Sequence, residues 1–460
     1  MAALFSAHLR VQTWRQIWIA LAESQAELGV GGVTFEQVAA LKGALDHIDF
    51  DRADELEREL RHDVMAHVRA YGEVAPAAAG ILHLGATSAF VVDNGDLLIM
   101  REALRVVERK TLCVVKALTE FAEAHADLPT LAWTHFQPAQ PTTVGKRACL
   151  WIADLMFDLD EIKYRLGGFQ LRGIKGTTGT QASFMALTGG DTDKVDALED
   201  SIIKKLGATA AFPITGQTYS RRVDAAWSAT LAGIAQSVSK FSYDLRLLQH
   251  LGEVFEPFGE QQVGSSAMAY KRNPVRAERI SGLARLAIQT GSNFAHTAAT
   301  QWLERSLDDS ANKRIAMPEL FLTVDALLVL CHSVAIGLEV SEAAIARHLA
   351  DELPAMASEN LLMAAVAAGG DRQALHERVR VRAREAAEQA AAGDGNDLLA
   401  RLASEEGFAE LPSAVWDAAS NPAALVGRAP EQTRRFVREI VRPRLESYPG
   451  ELEMTGDVRV

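Results

Sequence analysis

Apolar and polar positions follow a helical rhythm along most of the chain. In HLRVQTWRQIWIALAESQAELG (8–29), Val11, Trp14, Ile17, Trp18 and Leu21 share one face, and Gly29 is placed to end the helix. TFEQ at 34–37 has the form of a capping box that opens the next helix. Long helices are predicted over 96–126, 145–172, 275–303 and 318–338. The clearest periodicity lies in 220–250. There Trp227, Leu231, Ile234, Val238, Phe241, Leu245 and Leu248 alternate steps of four and three, a heptad-type seam suited to a bundle of long helices. Prolines gather at joints (Pro138, Pro141, Pro213, Pro257, Pro274, Pro318 and Pro354), and alternating strand patterns are scarce. The expected fold is all-α in three parts: an N-terminal helical domain over 1–87, a long-helix bundle over 88–340 and a C-terminal helical domain over 341–460. A helix of about 30 residues spans roughly 45 Å. Apolar seams of that length need neighbours from other chains, so an oligomer is expected.

The 460 residues carry a net charge of −13, which argues against a general nucleic-acid binder or a protein of anionic membrane surfaces, yet allows a local cationic pocket. Three distant cysteines, Cys113, Cys149 and Cys331, read as reduced thiols of a cytoplasmic protein. The N-terminus lacks the charged-then-apolar order of a signal peptide. The most apolar run, LFLTVDALLVLCHSVAIGL (320–338), is interrupted by Asp325 and His332 and reads as a buried helix rather than a membrane span.

Seven polar segments break the rhythm: RHD (61–63), HLGATS (83–88), THFQPAQPTTVGKR (134–147), KGTTGTQ (175–181), TGQTYSR (215–221), GSSAMAYKRNP (264–274) and ERSLDDSANKR (304–314). Loops at the ends of rigid helices are where function concentrates, although a single polar loop is usually only a loop. Of the 12 histidines, His62, His83 and His135 stand out because each lies among other polar groups. His62 with Asp63, or Asp308 with Asp309, lacks the spacing of known metal ligands, so no metal and no other cofactor is expected. No phosphate-binding Lys-Ser/Thr loop, dinucleotide GxGxxG or GxSxG nucleophile elbow occurs.

GSSAMAYKRNP with the downstream Glu278 resembles the signature GSSxMPxKxNPxxxE of the fumarase/aspartase superfamily, whose members eliminate fumarate from succinyl-type substrates. Its Tyr-Lys-Arg version, with the six other segments in the same order, resembles the adenylosuccinate lyase family, and the resemblance covers nearly the whole chain. It implies a three-domain all-α fold whose central helices form a homotetramer, with each active site shared between chains. It also implies β-elimination of fumarate from adenylosuccinate, giving AMP, and from SAICAR, giving AICAR. Such a reaction needs a base, an acid and a cationic cradle for the developing carboxylate charge.

By this resemblance Ser265 is the base, stabilised by Lys271 and backbone N–H groups. Lys271 and Asn273 hold the carboxylate, His135 is the acid to the leaving nitrogen, and Glu278 orients it. Arg61, His62 and Asp63 are expected at the phosphate and ribose; His83, Thr87 and Ser88 at the succinyl or phosphate end; and Gln217 at a succinyl carboxylate. Arg279, Arg305, Ser310 and Arg314 are expected as further phosphate and nucleotide contacts, the role to which the arginine fork is suited.

Two departures stand out. Ala269 replaces the proline of the signature, which removes a φ restraint from the loop. The family also carries an Arg-Tyr pair just before a Ser-Pro-Glu-Met run, and Met1 aligns with the end of that run. The pair is therefore expected to lie upstream of this start rather than to be lost. Two alternatives remain: another lyase of the superfamily, and a catalytically silent protein on the same scaffold. The nucleotide-type clamps speak against the first, and the presence of His135, Ser265 and Lys271 against the second.

Overall fold

The computed structural model describes every residue except 260, 394, 457, 459 and 460. The elements run α1 (Ala7–Glu27), α2 (Phe35–Gly43), α3 (Phe50–Leu60), α4 (Asp63–Val74), α5 (Ser88–Ala124), β1 (Pro129–Thr134), β2 (Gln137–Thr143) and α6 (Val144–Gly167). They continue with α7 (Ala182–Leu187), α8 (Thr192–Lys205), α9 (Arg222–His250), β3 (Val254–Phe255), α10 (Val275–Thr300), α11 (Asp308–Ala335), β4 (Glu339–Val340), α12 (Glu342–Ala367) and α13 (Arg372–Ala391). Short helices follow from Leu398 onward. The chain packs as two units. One comprises Met1–Arg109, Asp158–Gln236 and Leu283–Leu327; the other comprises Lys110–Phe157, Ser237–Gly282 and the chain from Leu328.

In the first unit, Trp14, Ile17, Trp18 and Leu21 of α1 form a core with Leu41, Tyr71, Phe90, Phe184 and Leu198. The helix stops as its sequence demands, with Gly29 at φ 61° just past the end. Thr34 and Gln37 make both bonds of the capping box. Arg15 is buried on the same helix; it donates to the carbonyls of Ala44, Leu45 and His47 and lies 4.1 Å over the Tyr71 ring. In α9 all seven seam residues are at most 5 % exposed.

Helix boundaries moved where buried polar contacts outweigh local propensity. α5 starts at Ser88, eight residues before the expected Asp96, and runs through Gly95. A Cβ at Gly95 would lie 3.2 Å from Trp14 Cδ1, so the missing side chain admits the indole. α11 starts at Asp308 rather than residue 318 and carries Pro318 inside it. Its first turn is acidic, which suits a helix N-terminus. The apolar run lies within α11. That helix is long and apolar enough to cross a membrane, yet more than half of its most apolar window is buried inside the protein.

In the second unit, THFQPAQPTTVGKR is largely a hairpin where sequence reading found only an irregular polar segment. β1 and β2 pair antiparallel from Pro129↔Thr143 to Thr134↔Gln137. Two prolines in one strand argue against a ladder, but this sheet has two strands only, so every residue is at an edge. The strand β3 pairs with β4, and α12 packs against the hairpin. Gly145 opens α6 against the end of α5, its N–H donating to His125 O at 2.9 Å. A Cβ there would lie 2.3 Å from Ala122 O and 2.7 Å from Ala126 Cα. Gly145→Ala should therefore lower stability by about 1–3 kcal/mol in urea unfolding, because backbone cannot yield as a side chain can; an unchanged midpoint would refute this.

Candidate active site

In the first unit, the expected site residues Arg305, Ser310 and Arg314 line one cavity with members of a buried ion network. Arg221, which ends TGQTYSR, bonds Asp309 Oδ2 at 2.5 Å and Asp93 Oδ1 at 3.0 Å, with Asp224 at 3.9 Å. Lys313 Nζ donates to the Tyr219 hydroxyl at 2.5 Å and pairs with Asp96 at 3.1 Å and Asp224 at 3.5 Å. Tyr219 in turn donates to Asp224 at 2.5 Å. Burial works against both cations, but the carboxylates around them hold Arg221 and Lys313 well above their ordinary ranges. Burial pushes the Tyr219 hydroxyl up, so it stays a donor.

This network sets the lining of a cavity of about 320 Å³, which includes Arg10, Arg305, Ser310 and Arg314 beside Phe5, Ile99, Met100 and Met317. Ser310 and Arg314 follow Asp309 and Lys313 by one residue each, so anchoring one stripe of α11 places the next. Arg305 Nη1 donates to Gln217 Oε1 at 3.0 Å, while the Gln217 backbone is held by Glu304 O and by Arg172 Nε. Arg314 Nη2 bonds Asp63 at 2.6 Å. Burial raises the Asp63 carboxyl, but the Arg314 bond prevails and holds it below the usual range.

RHD is a junction between helices. Arg61 caps α3 in left-handed geometry (φ 55°), and His62 caps α4, its Nδ1 accepting from Met65 N–H at 3.3 Å. His62 Nε2 lies 3.2 Å from Ser88 Oγ, which follows Thr87 at the start of α5. His83 stands at φ 65°, its Nδ1 accepting from Trp18 Nε1 at 2.9 Å. Burial, with His62 nearby, lowers its pKa to about 4.

In the second unit, GSSAMAYKRNP forms a tight loop. The Ser265 hydroxyl oxygen accepts backbone N–H bonds from Ala267 at 3.3 Å and Met268 at 3.1 Å. Asn273 donates to Gly264 O at 2.9 Å and ties the two ends of the loop together. Gly264 must lack a side chain, since a Cβ would sit 1.9 Å from Lys271 O. Arg272 pairs with Glu339 at 2.9 Å and lies over the Phe255 and Phe258 rings. Lys271 is exposed, and among the described residues its Nζ has no partner. Glu278 and Arg279 are exposed on the first turn of α10. Glu256, buried, accepts the Arg276 and Ala277 N–H groups of that turn at 3.0 and 2.8 Å. His135 and Phe136 form the exposed hairpin tip, both left-handed (φ 55° and 57°).

A family model described as lyase matches residues 1–288, and one described as adenylosuccinate lyase C-terminus matches 354–436. The chain is 46% identical to the adenylosuccinate lyase of Saccharomyces cerevisiae over 454 residues, covering 97% of this chain and 93% of that one. It is 42% identical to that of Schistosoma mansoni, covering 100% and 96%. The chain belongs to the adenylosuccinate lyase family, within the fumarase/aspartase superfamily. Among solved structures, the 3-carboxy-cis,cis-muconate lactonizing enzyme of Pseudomonas putida superposes with a TM-score of 0.83 at 26% identity, over 97% of each chain. A fumarate lyase from Mesorhizobium sp. BNC1 shares the fold at 22% identity and the same TM-score, over 95% of this chain and 97% of that one.

As a member of the adenylosuccinate lyase family the chain is a lyase, and its expected site residues fall into two groups. Arg61, His62, Asp63, His83, Thr87, Ser88, Gln217, Arg305, Ser310 and Arg314 lie in the first unit; His135, Ser265, Lys271, Asn273, Glu278 and Arg279 lie in the second. Asp63–Arg314 and Gln217–Arg305 are brought into direct contact. Sequence reading missed the supporting role of Asp93, Tyr219, Arg221, Asp224, Asp309, Lys313, Glu256 and Trp18, all buried, and of the half-buried Asp96. A signal existed in Asp93 and Asp96, three apart inside the apolar run AFVVDNGDLLIM. Removing one buried partner strands the others, so Lys313→Met should destabilise the protein by about 3–5 kcal/mol in urea unfolding. A loss under about 1 kcal/mol would show that Asp96 and Asp224 do not depend on it.

Proposed function

We propose that the chain eliminates fumarate from adenylosuccinate to release AMP, and from SAICAR to release AICAR, without a cofactor. Ser265, as an alkoxide, takes the proton from the carbon beside a succinyl carboxylate. The negative charge passes to that carboxylate, where Lys271 and Asn273 receive it. The C–N bond then breaks as His135, oriented by Glu278, protonates the departing nitrogen. Arg61, His62, Asp63, His83, Thr87, Ser88, Gln217, Arg279, Arg305, Ser310 and Arg314 bind the nucleotide and succinyl groups.

The observation that carries this reading is the Ser265 hydroxyl, on which two backbone N–H groups converge. A serine is a poor base unless its anion is stabilised, and donors already aimed at the oxygen do so without reorganisation at the moment of reaction. Asn273 already donates to Gly264 O, so on this reading it serves the carboxylate by holding the loop in shape as well as by any direct contact.

The reading extends to a cytoplasmic homotetramer with shared sites, built on the three-domain division at residues 87 and 340. Two exposed heptad stripes support assembly. Leu150, Phe157 and Tyr164 lie seven apart on α6; on α11 Ile315 and Leu322 lie seven apart, and Ile336, just past its end, is two heptads further on. Apolar rows of this kind seek partner helices. An exposed, left-handed hairpin tip carrying the proposed acid suits delivery of His135 to the site of a neighbouring copy.

The test is loss of adenylosuccinate absorbance in the ultraviolet. Purified protein should consume it, and Ser265→Ala and His135→Gln should each lower turnover by at least about a hundredfold while the fold persists. No turnover at micromolar enzyme overturns the lyase reading, and near-normal turnover in either variant removes that residue from its role. Mixing the two variants should restore part of the activity if sites are shared between chains; no recovery after confirmed subunit exchange would refute the sharing.

A further inference from the structure

The contact between Trp18 and His83 decides which nitrogen of an expected site histidine carries its proton. An indole N–H can only donate, so the His83 Nδ1 it meets at 2.9 Å must be unprotonated. Neutral imidazole then carries its proton on Nε2. Among the described residues Nε2 has no partner, which leaves a donor on a half-buried ring without an acceptor. Trp18 cannot easily swing away: it is 1 % exposed, edge-on to the His83 ring and packed beside Tyr71. The segment that carries His83 is tied to the same helix by Gln25, whose amide donates to Leu84 O at 3.2 Å. The low pKa keeps the ring neutral across the physiological range.

We propose that Trp18 is a positioning residue that locks His83 as the Nε2–H tautomer, so that the ring donates a hydrogen bond to an anionic oxygen of the substrate and cannot accept a proton there. The proposal rests on the lyase reading of the site. The oxygen belongs to the phosphate or to a succinyl carboxylate, which share the same acceptor chemistry. His62 obeys the same rule, since its Nδ1 accepts from Met65 N–H. Both rings thus turn a donor away from their anchoring contacts.

The test uses the full chain labelled with ¹⁵N-histidine, with the His83 signals assigned by comparison with His83→Gln. At pH 7 the δ1 nitrogen of His83 should be unprotonated and the ε2 nitrogen protonated. Trp18→Phe should give a mixture of tautomers. Replacing Trp18 by benzothienylalanine, which keeps the ring shape and removes only the N–H, should do the same if the phenylalanine variant fails to fold. A protonated δ1 nitrogen in the wild type, or an unchanged tautomer in the benzothienylalanine protein, overturns the proposal. In the folded variant, inhibition by one product should weaken roughly tenfold, the scale of one lost hydrogen bond: AMP if the oxygen is phosphate, fumarate if it is carboxylate. Unchanged inhibition by both overturns the donor role. The spectrum needs no turnover, so failure of the lyase reading shows in the activity assay and failure of the tautomer shows in the spectrum.

Discussion

Arg221 holds the cavity-lining side of the first unit in place. Its guanidinium reaches Asp93 on α5, Asp309 on α11 and, at longer range, Asp224 on α9, and Lys313 closes the network through Asp96 and Tyr219. Taking that many charges out of water costs several kcal/mol for each ion, and pairing alone seldom recovers it. The network is therefore poor evidence for stability and better evidence for registry: α5, α9 and α11 can satisfy these groups in few relative positions. That registry fixes Ser310 and Arg314 beside the cavity. It is also incomplete, since among the described residues Arg221 Nη1, Asp309 Oδ1 and Arg305 Nε lack hydrogen-bond partners. All three residues line the cavity, which keeps some of its polar capacity open to a bound molecule.

Backbone geometry does the corresponding work where side chains are few. Six non-glycine residues among those described have positive φ, and Arg61, His83 and His135 are three of them. Such positions are strained and persist only where the surroundings enforce them. Arg61 is enforced by two helices separated only by Arg61 and His62, His83 by Trp18 and Gln25 of α1, and His135 by the two-residue turn of its hairpin.

The helical fold was legible because burial and periodicity agree: the α9 seam, the end of α1 at Gly29 and the Thr34 capping box all stand where pattern places them. The polar segments were legible as a set through resemblance, since each is unremarkable alone. Pattern failed where tertiary contacts override local preference. Pro138 and Pro141 hid a hairpin that tolerates them only because both strands are edges. Pro318 hid the first ten residues of α11, which buried Asp309 and Lys313 hold in the helix. Trp18 was legible as core but not as a hydrogen-bond donor. Its position on the apolar face of α1 says nothing about His83, 65 residues away.

Ala269 shows how local geometry settles a question that residue identity raises. Relatives of the signature carry proline there, and proline favours the second position of a β-turn. The Lys271 N–H donates to Met268 O at 3.0 Å, which makes Ala269 that second position. The turn forms without proline, and the difference lies in the freedom of the open loop, worth about 0.4–1 kcal/mol. Two contacts oppose that freedom at the loop's ends: Asn273 on Gly264 O, and Gln249 on Arg272 O at 2.9 Å. Arg272, bound to Glu339 and two aromatic rings, adds a third restraint next to Lys271. The arginine of the Lys-Arg pair thus anchors the loop, while the neighbouring lysine stays exposed.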